Sequence, residues 1–97
     1  MLTKEEVLHM GYVVAKQLPD GTWIAVVPMS FGKGRLCSAI SWSGYEDGWC
    51  YEKLEQAVVA MFEWDPDDTE EPDGWIRHIS TGRRRPDGRA SSEFVMR

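Results

Sequence analysis

Tyr12-Val13-Val14-Ala15-Lys16-Gln17-Leu18-Pro19-Asp20-Gly21-Thr22-Trp23-Ile24-Ala25-Val26-Val27-Pro28 is the stretch whose reading decides the fold. Both halves are rich in β-branched and aromatic residues, which favour a pleated, half-buried surface. Pro19 presets φ for a turn, Asp20 suits its second corner, and Gly21 can take positive φ in a bulge. The segment therefore predicts an antiparallel β-hairpin. Pro28 cannot donate to a ladder, so it ends the second strand or places it at an edge.

Working outward, Thr3-Lys4-Glu5-Glu6 matches a capping box. The Thr3 hydroxyl can accept from the Glu6 amide while the Glu6 carboxylate reaches back to the Thr3 amide. A helix of about two turns is expected, carrying Val7, Leu8 and Met10 and stopping at Gly11. On the other side of the hairpin, Phe31-Gly32-Lys33-Gly34 reads as a second turn. It lacks the spacing of a phosphate-binding loop and follows a meander, not a βα unit. A third strand is expected near Arg35 to Trp42, with Leu36, Ile40 and Trp42 on a buried face and the small residues Cys37, Ala39 and Ser41 on the other. Small residues allow something to approach the sheet closely.

Ser43-Gly44-Tyr45-Glu46-Asp47-Gly48 reads as a loop. A helix is then expected from about Trp49 or Cys50 to Trp64, because Leu54, Ala57, Val58, Met61 and Phe62 recur at helical spacing. Asp65-Pro66-Asp67-Asp68-Thr69-Glu70-Glu71-Pro72-Asp73-Gly74 reads as an acidic, proline-broken connector. Its prolines interrupt the oxygen-ligand pattern of a calcium loop. In the last segment, Trp75 to Ser80 and Glu93 to Met96 could form strands around a basic turn at residues 81–89. The expected class is thus α+β: a short N-terminal helix, a three-stranded antiparallel meander and one amphipathic helix packed on the sheet. Residues 1–64 are expected to form the core domain, 65–74 an acidic linker, and 75–97 a basic C-terminal hairpin or tail.

The 97 residues are 42% hydrophobic and 28% charged, which places the chain among ordinary globular domains. A chain this short buries only about 60–65% of the surface that unfolding exposes. Its five tryptophans matter for that reason, since each can bury roughly 150–250 Å². No stretch has the roughly 20 apolar residues of a membrane span, and neither end carries a leader or lipidation pattern, so a cytoplasmic protein is expected. Cys37 and Cys50 are expected to be reduced. Neither they nor His9 and His78 show the spacing of a zinc site, and no catalytic set is recognisable. The expectation is a noncatalytic protein without metal or cofactor.

The net charge of −5 hides a bipolar layout. Residues 63–73 hold seven acidic groups and no basic one, while residues 74–97 hold six arginines and two acids. Arg83, Arg84 and Arg85 could fold back on the acidic run or meet a partner, since the guanidinium is a planar fork suited to carboxylate and phosphate. Trp23, Trp42 and Trp64 are expected in the core. Trp49 and Trp75 lie next to glycines and are expected at the surface. With Tyr45, Arg77, Arg83, Arg84 and Arg85 they form the candidate partner-binding set, because Trp, Tyr and Arg are enriched at binding hot spots.

The order helix, three-stranded meander, helix over residues 3–64 resembles the double-stranded RNA-binding fold. Glu52-Lys53-Leu54-Glu55-Gln56 lacks that family's basic cluster, so the resemblance implies topology and not RNA binding. Asp20-Gly21-Thr22-Trp23-Ile24-Ala25-Val26-Val27-Pro28, with Leu54-Glu55-Gln56-Ala57, is similar to HicB-type antitoxin domains, which bind a small toxin. No DNA-binding segment of that family follows. Gly74-Trp75-Ile76-Arg77-His78 and Thr81-Gly82-Arg83-Arg84-Arg85-Pro86-Asp87-Gly88 look like small proteins encoded by actinobacterial bacteriophages. That likeness implies a modulator that binds a host protein. The expected function is a noncatalytic protein-binding module for a host or cognate protein, with a nucleic-acid-associated regulator using the arginine tail as the alternative. Weak homodimerisation through an open sheet edge is a third expectation.

Overall fold

The computed structural model describes residues 2–69 and 71–79. Helix α1 spans Lys4–His9, β1 Val14–Gln17, β2 Trp23–Pro28, β3 Gly34–Ser38, β4 Asp47–Tyr51, α2 Leu54–Glu63 and β5 Arg77–His78. The capping box forms as the sequence predicts. The Thr3 amide donates to Glu6 Oε1 at 2.8 Å, and the Glu6 amide to Thr3 Oγ1 at 3.2 Å. The hairpin forms too, with Val14 opposite Val26 and Gln17 opposite Trp23. Its turn is fixed by the Thr22 amide donating to Asp20 Oδ1 at 2.9 Å.

Among the described residues the sheet has five antiparallel strands in chain order, two more than the meander predicted from sequence. The register sorts its side chains into rows. Val14, Val26, Leu36, Trp49 and His78 form one row, and Ala15, Ala25, Cys37 and Gly48 the adjacent row on the opposite face. Helix α2 covers the first face. Ile24, Val26, Leu36, Trp49 and Tyr51 pack there against Ala57, Ala60, Met61 and Trp64. A Cβ on Gly34 would lie 3.0 Å from the Leu54 backbone, so only glycine lets α2 start this close to the sheet. The second face carries α1, whose Val7 packs on Ala15, Trp23, Ala25 and Cys37. The small-residue row thus serves close approach, as expected of Cys37.

Three readings of the sequence are corrected. The helix does not begin at Trp49 or Cys50. Those residues belong to β4, because Trp49 and Tyr51 alternate with Cys50 at the two-residue period of a strand. Trp42 is 67% exposed, not core. β3 ends at Ser38 and Ala39 turns with φ 55°, so the alternation that would bury Trp42 is broken. Phe62, assigned to the apolar stripe of the helix, is also exposed.

The acidic run is a folded wall of the domain, not a free spacer. Asp65 opens a turn in which its carbonyl accepts from the amides of Asp68 and Thr69. The Trp64 indole donates to the Thr69 carbonyl at 3.3 Å, and the Tyr51 hydroxyl to the Asp73 carbonyl at 2.7 Å. Trp75 then enters the α2-side core, and β5 adds to β4. The second tail strand expected at residues 93–96 lies outside the described residues.

Trp75→Ala should therefore destabilise the whole domain by about 3–5 kcal/mol, the cost of deleting a buried aromatic. A denaturant midpoint unchanged by the substitution would show that residues 71–79 are not part of the core.

Candidate functional site

The sequence-predicted partner residues do not form one surface. Trp49 and Trp75 are 3% and 2% exposed, which corrects their expected place at the surface. Trp49 lies on the α2 side of an interior strand. It meets the Trp64 ring edge-on at 5.1 Å and stacks on His78 at 5.3 Å. Nε2 of His78, also buried, lies 2.7 Å from Asp47 Oδ1, so these residues hold β5 to β4. Arg77 is exposed and Tyr45 half-buried, and both belong to the other face of the sheet. Arg83, Arg84 and Arg85 lie outside the described residues.

On that second face Tyr45 meets Arg35, which residue type and spacing alone do not single out. Arg35 Nη1 donates to Tyr45 Oη at 2.7 Å, and the guanidinium carbon sits 5.9 Å from the Tyr45 ring centre. The register places Arg35 opposite Cys50, and Cys50 opposite Arg77. Gly48 makes the convergence possible. A Cβ there would lie 3.1 Å from the Tyr45 ring and 3.4 Å from both Arg35 Cδ and Ile79 Cγ1. Burial opposes the charge on Arg35, but the Cys50 thiol and Tyr45 phenol beside it outweigh this and hold its pKa above the ordinary value. Further along the face, burial pushes the Cys37 thiol up to about 12. Burial and the neighbouring Cys37 raise Tyr12 to about 12. Cys37 and Cys50 are not joined to each other.

The α2 side carries a second feature. Between α2 and the acidic run lies an open cavity of about 640 Å³. Tyr51, Ala60, Trp64 and Pro72 give it an apolar floor. Glu55, Glu63, Asp65, Asp68, Glu71 and Asp73 ring it, with no lysine or arginine among the described lining residues. Two helix residues, Val59 and Phe62, present exposed apolar side chains on or beside this side. Lys16 lies behind the helix. Its Nζ donates to the carbonyls of Met61, Phe62 and Trp64 at 3.0–3.2 Å, capping the negative end of the helix dipole and leaving the acidic rim unneutralised by it. Two further exposed aromatics stand at opposite ends of the meander. Phe31, 96% exposed, sits at φ 62° at the β2–β3 turn, and Trp42 in the β3–β4 loop.

Among the described residues no group of three or more His, Cys, Asp or Glu side chains is placed to hold a metal ion. No described helix is long and apolar enough to cross a membrane. Compared with protein-family models, with curated proteins and with solved structures, the chain matches none of them.

The raised pKa values on the second face make a prediction for alkaline solution. In the unfolded chain Cys37 and Tyr12 ionise near their ordinary values of 9.0 and 10.0, whereas folding holds both neutral to about 12. Their contribution is intact below pH 9 and is lost as pH rises toward 12. Denaturant midpoints measured across that window should fall with pH, and Cys37→Ala should flatten the fall. An identical pH profile in the variant would contradict this assignment.

Proposed function

We propose that this chain is a noncatalytic protein-binding module, and that the cavity between α2 and the acidic run receives a basic, partly apolar segment of its partner. The observation that carries the reading is the composition of that cavity. An apolar floor supplies burial, and six carboxylates of one sign define what the rim accepts. Arginine and lysine side chains suit such a site, because their alkyl stems lie along apolar surface while their charged ends meet the carboxylates. The same six carboxylates repel a phosphate backbone, which weighs against nucleic acid on this side.

The electrostatic part of such an interface acts mainly on encounter and specificity, and the apolar floor on residence. The Trp64 indole donates to the Thr69 carbonyl and the Tyr51 hydroxyl to the Asp73 carbonyl, so the two walls are tied to the core and the cavity exists before a partner arrives. Preorganisation of this kind lowers the ordering cost of binding.

The test is fluorescence anisotropy of a short labelled peptide of alternating arginine and leucine, titrated with the full-length protein. Saturable binding that weakens with salt is expected. The double reversal Glu63→Lys with Asp68→Lys should reduce affinity about tenfold or more at low salt. Both side chains are exposed, and a lysine near the end of α2 agrees with the helix dipole, so the fold should persist. Equal binding of a glutamate-for-arginine peptide, or equal affinity in the double variant, would overturn the reading.

A further inference from the structure

We propose that Arg35 and Arg77 form a binding site for a dianionic phosphate group on the face of the sheet opposite α2. The site is distinct from the acidic cavity and does not depend on it. Arg35, Cys50 and Arg77 stand in one cross-strand row on neighbouring strands. Adjacent strands are about 4.8 Å apart, so the two arginine backbones are separated by about 10 Å with only a cysteine between them. Side chains of that length can lean together over Cys50 and meet a single anion.

Neither arginine is neutralised among the described residues. Neither Arg35 nor Arg77 has a described carboxylate in salt-bridge range. Glu52, just past the end of β4 and half-buried, pairs with neither. Arg35 spends one donor on the Tyr45 hydroxyl and lies beside the Cys50 thiol, and its buried Nε–H has no oxygen or nitrogen acceptor among the described residues. A buried guanidinium donor left without an acceptor is costly in a folded chain. Arg77, exposed in the same row, adds a second positive charge, and an anion between the two relieves their repulsion.

The chemistry selects the ligand. Two planar forks and two positive charges match a terminal phosphate, which presents three acceptor oxygens and nearly two negative charges at neutral pH. A phosphodiester carries one charge and offers fewer free oxygens. The half-buried Cys50 thiol forms the floor, and the Tyr45 ring fixes Arg35 from the side. Ile79 closes the row next to Gly48.

Nuclear magnetic resonance of the full-length protein tests this. Phenyl phosphate should shift the amide signals of Arg35, Cys50 and Arg77 along saturating curves. Arg77→Gln, at an exposed position, should weaken binding about tenfold or more while leaving the rest of the spectrum unchanged. Arg35→Lys, which keeps charge but loses the fork, should weaken it as well. Inorganic phosphate binding as tightly as phenyl phosphate would mark the free ion as a sufficient ligand. A preference for phenyl phosphate would mark a phosphomonoester. Dimethyl phosphate should fail to saturate. Bound ligand should also slow carboxamidomethylation of Cys50 by iodoacetamide. Shifts that never saturate, or an unchanged affinity in Arg77→Gln, would overturn the site, and saturation by dimethyl phosphate would overturn its dianion selectivity.

Discussion

The insertion of Trp75 into the α2-side core is the contact on which the rest of the molecule depends. Trp75 lies 2% exposed in one cluster with Tyr51, Trp64 and Met61, and the acidic residues that precede it line the cavity against α2. That anchoring makes a run of carboxylates the wall of a cavity. It also delivers β5 to β4, which turns β4 into an interior strand and buries Trp49 on its α2 side. Burial of large aromatics is the strongest resource a chain this short has for stability. Here the same burial sets where the charges stand.

The sheet therefore separates two chemistries. Its α2 side has an apolar floor under an acidic rim, and its opposite side has a row of small residues beside a pair of arginines. Period-two alternation accounts for the division, since neighbouring residues of β3 and β4 face opposite ways. Leu36 and Trp49 point toward α2, and Arg35 and Cys50 away from it. Glycine is needed on both sides of the sheet for different reasons. Gly34 admits the helix, and Gly48 admits the Tyr45 ring and Arg35. Lys16 satisfies carbonyls at the end of α2, so a lysine close to the acidic side acts as a helix cap and not as a counterion of the rim.

The parts of this structure legible in the sequence are those set by local chemistry. The capping box at Thr3, the turn at Pro19-Asp20-Gly21 and the apolar spacing from Leu54 to Met61 each involve residues within a few positions of one another. β4 is not legible, because Trp49-Cys50-Tyr51 shows only one and a half periods of alternation and abuts a stronger helical signal. Its strand state comes from pairing with β3 and β5, both of which meet it only through tertiary contact. Trp42 escapes sequence reasoning for a related reason: the left-handed turn at Ala39 shifts the phase that would bury it. Of the candidate site, Tyr45 and Arg77 are visible by residue type. Arg35 becomes visible only once the register of β4 is known. The acidic run is visible as composition, but its fold against α2 depends on Trp75, a contact that charge patterning does not reveal.

Amide hydrogen exchange at Ile76 and Ile79 tests the central claim most directly. These amides donate to the carbonyls of Cys50 and Gly48 at 2.8 Å each, on the far side of the acidic run from α2. If that run is a wall of the domain, both amides exchange only with global unfolding, at the same free energy as the amides of β2 and β3. Exchange at the rate of an unfolded chain would mean that the segment does not dock, that the cavity has no outer wall, and that its carboxylates form no preorganised rim.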